Sequence, residues 1–156
     1  MALNVEILTE WGSPPTRTPF PVGLGTSHHV RIQCGASDEI WELPSEYCGH
    51  RIGNQVIALS DCACLLWLRS TVYLVSAMGD DPHFERLAEN IVDVLAGPVI
   101  VSPPRLGAVD SHGVVTWSPA LTHDGFEQLT CADGEVRGVA WDPTNGGSVP
   151  FSWCLP

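Results

Sequence analysis

The sequence predicts an α+β fold, in which one long amphipathic helix packs on a mostly antiparallel sheet. One observation is a single segment with apolar residues at helical spacing, and another is a set of ten short segments typical of strands. The chain has 156 residues, of which 44% are hydrophobic. That is enough to bury one core, so we expect a single domain spanning residues 1–156.

The helix is predicted in "GDDPHFERLAENIVDVLAGP", residues 79–98. Asp81 is the expected N-cap, and Pro82 is suited to the first helical position. Gly97 and Pro98 are the expected stop. The apolar residues that recur at three- and four-residue steps, and so predict a buried face, are Phe84, Leu87, Ala88, Ile91, Val92 and Leu95.

The strands are predicted where β-branched or aromatic residues lie between turn formers. The runs around Leu65 and Tyr73 are apolar enough to be buried on both faces. A seam at residues 102–113 is expected to separate the helix-bearing part from a strand-rich tail. The predicted strands are "NVEIL", "HVRIQ", "EIWEL", "QVIAL", "CLLWLR", "TVYLV", "PVIV", "GVVTW", "VRGVAW" and "VPFSW".

Charge excludes two classes of partner. The formal net charge is −11, and the seven basic side chains are all arginine. Nucleic acids and anionic membrane surfaces both need a cationic face, so neither is an expected partner. The apolar run "CACLLWLRSTVYLVSAM" contains Arg69 and indicates buried strands rather than a membrane span. With no leader peptide visible, we expect a cytoplasmic protein with reduced cysteines.

Tryptophan has a positional pattern. A proline follows two or three residues after Trp11, Trp41, Trp117, Trp141 and Trp153. Proline fixes φ and lacks an amide donor, so the pattern is typical of a strand that ends in a large ring and then turns. The functional alternative is an aromatic platform for carbohydrate, and packing in a core or interface is favoured over it.

Four metal-ligand residue types lie close together in sequence, at Cys48, His50, Cys62 and Cys64. Residues i and i+2 of a strand face the same side, and zinc accepts both cysteine and histidine. The spacing is tighter than in usual zinc sites, and Cys62 and Cys64 adjoin an apolar run in which cysteine packs as a small hydrophobe. Packing is therefore favoured, and no metal or cofactor is expected.

A hydrolase is the alternative that the sequence leaves open. Ser111 and His112 lie together, and His123 follows, while Cys48 or Cys131 would be a candidate thiol nucleophile. Asp110 and Asp124 stand beside these histidines as possible orienting acids. Adjacency in sequence is little support for a triad, because its members converge in space. Loop Asp, Ser and His residues also serve turns, so an enzyme is not the favoured interpretation.

Acidic residues next to apolar surface carry the functional prediction. Along the predicted helix, Glu85, Glu89 and Asp93 recur every four residues, opposite the apolar face. A second group places Asp38, Glu39, Glu42 and Glu46 around Trp41 and Tyr47. Aromatic residues with a charged rim are typical of a protein-binding patch. An ordinary solvated face is the alternative.

The middle of the chain resembles a known family. The element "ELPSEY", followed by "NQVIALSD…LLWLRSTVYLVSAMGDDPHFERLAENIVDVLAG", is similar to the second half of SMI1/KNR4 (SUKH) domains, over Glu42–Gly97. The resemblance implies strands followed by a helix that begins at "FERLA". It also implies an inhibitor or partner-binding domain, because many members of the family are immunity proteins that neutralise bacterial toxins.

The sequence thus predicts a small acidic protein-binding domain, an immunity-type inhibitor of a basic toxin or enzyme. Its carboxylates would speed encounter with the basic partner, and buried aromatics would hold the complex. Two alternatives remain, a Cys/Ser–His hydrolase and a metal- or small-ligand-binding module.

Overall fold

The computed structural model describes residues 2–8, 17–20, 26–45 and 53–156. These residues form fourteen strands in four antiparallel sheets, and one three-residue 3-10 helix at Pro143–Asn145. The chain divides into two compact units. The first comprises residues 1–90 and 111–113, and the second comprises residues 91–110 and 114–156.

The first unit contains two meandering sheets, in which each strand pairs with the next. Its three-stranded sheet is built from β1 (Leu3–Ile7), β2 (Ser27–Cys34) and β3 (Ser37–Pro44). Its four-stranded sheet is built from β4 (Gly53–Ser60), β5 (Ala63–Arg69), β6 (Thr71–Met78) and β7 (Asp81–Ala88).

Alternating side chains of these two sheets form the core of the first unit. In β2, for example, Val30 and Ile32 point inward while Arg31 is exposed, as the period-two pattern of "HVRIQ" requires. Strands β5 and β6 are buried on both faces, which confirms that prediction. The buried core residues are Val30, Ile32, Cys34, Trp41, Leu43, Cys64, Leu66, Leu68, Tyr73 and Val75.

The second unit has the same kind of construction. Its four-stranded sheet is built from β8 (Asp93–Leu95), β9 (Val99–Ser102), β10 (Arg105–Val109) and β11 (Val115–Trp117). Its three-stranded sheet is built from β12 (Phe126–Ala132), β13 (Glu135–Asp142) and β14 (Gly147–Cys154). The buried core residues are Val99, Val101, Leu106 and Val136, against which Phe126, Phe151 and Trp153 pack.

The predicted helix is wrong, and with it the α+β class, because the described residues are nearly all in strands. Residues 79–98 hold β7, a bend and β8. Part of the misleading spacing comes from a β-bulge: Val72 pairs with Ala88 and Tyr73 with Arg86, so Leu87 is an extra residue in β7. This insertion makes the step from Phe84 to Leu87 three residues instead of two, and the later apolar positions belong to the bend and β8, outside β7.

The supposed helix signals have other roles in the sheet. Pro82 lies in β7, an edge strand, where the missing amide donor removes no ladder bond. Gly97 has φ of 106° in the turn of the β8–β9 hairpin, a conformation that favours glycine. Proline also lies in the edge strands β3 and β14, at Pro44 and Pro150. These residues leave fewer open amides for edge-to-edge pairing with other chains.

All ten predicted strands correspond to observed ones. Four further strands, β7, β8, β10 and β12, were not predicted. The predicted seam at residues 102–113 overlaps β10, which belongs to the second unit, while residues 111–113 belong to the first. That residues 1–156 form a single domain stays a prediction. Within the described ranges, none of the helical structure has the length and hydropathy to cross a bilayer.

Candidate functional site

Three hairpin turns lie at one end of the first unit, which we call the turn end. One hydrogen bond joins two of these turns, and another joins the third turn to β6. The backbone N–H of Ala36 donates to Asp80 Oδ1 (3.2 Å), and that of Ala77 donates to the carbonyl oxygen of Cys62 (2.8 Å). The turns are Gly35–Ala36 between β2 and β3, Asp61–Cys62 between β4 and β5, and Gly79–Asp80 between β6 and β7.

The turn end is strongly acidic. Its described residues carry two guanidinium groups, of Arg17 and Arg31, so the net side-chain charge is about −3 at neutral pH. Arg31 Nη2 lies 2.5 Å from Asp38 Oδ2, and this bond lowers the pKa of the Asp38 carboxyl. The excess negative charge comes from five carboxylates, of Asp38, Glu39, Asp61, Asp80 and Asp81.

The guanidinium of Arg17 makes several contacts within the turn end. Its Nε lies 3.1 Å from Glu39 Oε2, and its Nη1 lies 3.3 Å from Asp81 Oδ1. The guanidinium carbon also lies 5.3 Å from the centre of the Trp41 ring, which is in turn 4.8 Å from the ring of Phe84. This arrangement orders one side of the turn end, since a guanidinium that is held by two carboxylates and a ring has few other conformations.

Met78 adds an apolar group to this acidic surface. It is 67% exposed and pairs with Asp81 across the β6–β7 hairpin. Methionine is flexible and polarisable, which suits it to contact irregular surfaces of other proteins. The exposed Asp61 and Asp80 lie in the turns beside it.

The structure separates the acidic group that the sequence placed around Trp41. Asp38 and Glu42 lie on the outer face of the three-stranded sheet, while Glu39 and Trp41 lie on its inner face. Trp41 is only 7% exposed, so its ring belongs to the core rather than to a surface patch. Glu42 Oε1 accepts a hydrogen bond from Ser27 Oγ (2.6 Å). Glu46 and Tyr47 lie outside the described residues.

The other predicted acidic stripe is also divided. Glu85 is exposed on β7, and Glu89 follows that strand, where its Oε1 lies 2.7 Å from Arg86 Nη1. Asp93 is in β8 of the second unit. Because these residues do not share a helix, they do not form the single helical face that the sequence indicated.

The structure describes two of the four metal-ligand candidates, Cys62 and Cys64. Cys62 is exposed in a turn, whereas Cys64 is buried in β5, and burial raises the pKa of Cys64 to about 12. A thiol with that pKa stays protonated at neutral pH and packs as a small apolar group. Cys48 and His50 lie outside the described residues. Within residues 2–8, 17–20, 26–45 and 53–156, no group of three or more His, Cys, Asp or Glu could hold a metal ion.

The hydrolase candidates serve turns and core packing. Ser111 Oγ lies 3.4 Å from His112 Nδ1, and these neighbours form one exposed turn. The carboxylate of Asp110 accepts a hydrogen bond from the backbone N–H of Val114 (2.9 Å), which closes the loop around Ser111 and His112. Cys131 packs against the core of the second unit.

His123 lies in an open cleft of about 450 Å³ in the second unit. Its Nε2 is 4.0 Å from Asp142 Oδ1, a carboxylate that also accepts hydrogen bonds from the backbone and hydroxyl of Thr144. The neighbouring Thr122 hydroxyl is held by backbone groups of its own loop. The sequence analysis named His123 but missed this cleft, because Pro104 and Asp142 reach it from other parts of the chain. The lining residues are Pro104, Ala120, Leu121, Thr122, His123 and Asp142.

The fold is expected to lose stability in mild acid through His28. Its Nδ1 lies 2.7 Å from Oγ of the buried Ser45, and burial, then Arg69 and His29, lower the pKa of His28 below 6.5. In the unfolded chain His28 binds a proton near its ordinary pKa, while the folded protein resists protonation until lower pH. The stabilising contribution is therefore fully present above the ordinary value and lost as pH falls through the lowered pKa.

Urea unfolding at pH values between about 7 and 5 measures this effect. The variant His28→Gln should lose less unfolding free energy over that range than the wild type. His123→Gln is the matched control, because the side chain of His123 is 66% exposed. Equal pH dependence of the wild type and His28→Gln would contradict the assignment.

No protein-family model, curated protein or solved structure matches this chain. The resemblance of residues 42–97 to SMI1/KNR4 (SUKH) domains stays a prediction. In the structure, its "FERLA" segment is part of strand β7 rather than the start of a helix.

Proposed function

We propose that this protein is a non-enzymatic binding domain whose turn end docks on a basic surface of another protein. The observation that carries the proposal is the excess of carboxylates over guanidinium groups at that end, beside the exposed Met78. Loops at the end of a β-sheet scaffold are well suited to binding, since the strands fix their positions.

The charge favours a cationic protein. The chain carries a net −11, so its field accelerates encounter with a basic partner and opposes an acidic one. Arg17 and Arg31 are held by carboxylates of the turn end itself. Asp61 and Asp80 then present negative charge beside Met78, which supplies apolar contact once the partner has docked.

The finer proposal is an immunity-type inhibitor, which neutralises a basic toxin or enzyme by covering part of its surface. An acidic inhibitor suits an enzyme with a cationic substrate groove, because the same groups that attract a polyanionic substrate attract the inhibitor. This part of the proposal rests on the net charge and on the sequence resemblance given above.

Neutralising the turn end is expected to weaken binding to the basic protein encoded beside this one, or captured with it by cross-linking. The pair Asp61→Asn/Asp80→Asn removes two charges, and the amide side chain introduced at position 80 retains an oxygen that can accept from the Ala36 N–H. Dissociation constants at low salt should rise by about tenfold or more, because desolvated charge pairs are lost and steering weakens. The dependence of affinity on salt should also become flatter.

The matched control is Glu127→Gln/Asp133→Asn, which removes two exposed charges from the second unit. This control should leave affinity within about twofold, as exposed charges outside the contact surface contribute little. Equal weakening by both pairs would show that net charge alone matters, and would contradict docking at the turn end. Failure to recover any basic partner would contradict the proposed function itself.

A further inference from the structure

The three-stranded sheet of the second unit has one face directed away from its core. Strand alternation places Val136 and Ala140 of β13 inward, where both are buried, and Trp141 outward, where it is 44% exposed. The pairing of β12, β13 and β14 places further polar side chains on the same side. We call this the outer face, and its central residues are Thr130, Arg137, Val139, Trp141, Ser148, Pro150 and Ser152.

The exposed Trp141 is held in place through its backbone. Its N–H donates to the carbonyl oxygen of Gly125 (3.1 Å), and its carbonyl oxygen accepts from the N–H of His123 (3.2 Å). The buried hydroxyl of Thr122 lies 3.0 Å from the same carbonyl oxygen. An indole on a fixed backbone gives up little conformational entropy when a ligand packs on it, which favours binding.

Hydrogen-bonding groups surround this indole. Ser148 is directly opposite Trp141 in the ladder, so their Cβ atoms are about 5 Å apart. Arg137 lies four residues along the same strand, roughly 14 Å away, with Ser152 opposite it. The guanidinium of Arg137 is oriented by Glu135, whose Oε2 accepts from Nε (2.6 Å), so other N–H groups face a fixed direction.

We propose that the outer face binds a neutral carbohydrate chain. The indole stacks on the C–H face of one sugar ring, and Ser148, Ser152 and Arg137 hydrogen-bond the hydroxyl groups of that ring and of the next ones along the chain. A sugar presents an apolar face with a polar rim, and it therefore matches a flat aromatic ring that has Val139 and Pro150 on one side and the hydroxyl of Ser148 opposite it.

Charge selects neutral sugars over acidic ones. Arg137 is ion-paired with Glu135, and Glu127 on the same face adds a negative charge. The whole chain carries −11, which repels anionic polysaccharides at low salt. The proposal is independent of protein binding at the turn end, because it involves different residues in the second unit.

The test is electrophoresis of the intact protein through gels that contain neutral polymers of glucose, mannose, xylose or galactose, followed by calorimetry with short oligosaccharides of the retarding polymer. At least one polymer should retard the wild type. Trp141→Ala should weaken the affinity by about tenfold or more, and Trp141→Phe should keep most of it. Val114→Ala is the control for nonspecific apolar contact, since Val114 is 61% exposed in the same unit, and it should bind as the wild type does.

Three results would overturn the proposal. One is that none of the four polymers retards the wild type. Another is that Trp141→Ala, shown to be folded by urea unfolding, binds sugar with unchanged affinity. The third is that sedimentation detects self-association that Trp141→Ala abolishes, which would identify the outer face as a contact between copies of this chain.

Discussion

Replacing Tyr73 by alanine is expected to lower the free energy of unfolding by about 3–5 kcal/mol, as for other large aromatic truncations in cores. Tyr73 is fully buried between the two sheets of the first unit. Its ring stacks on Phe20, with the ring centres 5.5 Å apart, and its hydroxyl donates to the carbonyl oxygen of Pro44. Urea unfolding followed by tryptophan fluorescence measures the loss.

The variant Tyr73→Phe separates the ring from the hydroxyl. It keeps the stacking and the volume, and removes the hydroxyl with its bond to the Pro44 carbonyl and its interaction with Arg86, so the expected loss is about 1–2 kcal/mol. If Tyr73→Ala lowers the free energy of unfolding no more than Tyr73→Phe does, the ring does not fill the core. That result would contradict the packing of the two sheets against each other.

The strands of this protein are predictable because their pattern is local. In "HVRIQ", Val30 and Ile32 alternate with polar residues, and this two-residue period identifies both the strand and its buried side. Applied to "EIWEL", the same period places Trp41 and Leu43 together on the inner face. The burial of Trp41 could therefore have been predicted from the sequence. The two-residue period is the stronger signal, and it overrides the interpretation of Trp41 as an exposed aromatic residue with an acidic rim.

The helix error has a different origin, because a β-bulge is defined by the partner strand. Leu87 is an extra residue only in relation to Val72 and Tyr73, which lie about fifteen residues earlier in the chain. A local window from Phe84 to Leu95 contains the right spacing for a helix and no sign of that partner. Long-range pairing overrides local pattern in such segments.

The turn end could not be predicted from the sequence either. Net charge is visible in the composition, but the association of Asp61 with Asp80 depends on which hairpins share an end of the unit. Which turns share an end is set by the number and pairing of the strands between them. The outer face with Trp141 is foreseeable in part, since the tryptophan–proline pattern includes an aromatic platform for carbohydrate among its interpretations.

Gly53 makes a contact that no local pattern reveals, and changing it to alanine is expected to cost about 1–3 kcal/mol of unfolding free energy. A Cβ atom at this position would lie 2.0 Å from Cε2 of Trp67 on the neighbouring strand. The indole cannot move aside easily, because it is buried and its Nε1 donates to the carbonyl oxygen of Arg69 (2.6 Å). Gly125→Ala is the matched control, as a Cβ there meets nothing within 4 Å.

A double-mutant cycle decides whether the indole is the cause. In a Trp67→Leu background the ring is absent, so Gly53→Ala should be neutral or should stabilise the strand by up to about 0.5–1 kcal/mol, the usual advantage of alanine over glycine. The difference between the cost of Gly53→Ala in the two backgrounds is the coupling energy between the residues. An equal cost in both backgrounds would instead place the strain in the backbone of β4 and would contradict the packing of Trp67 on Gly53.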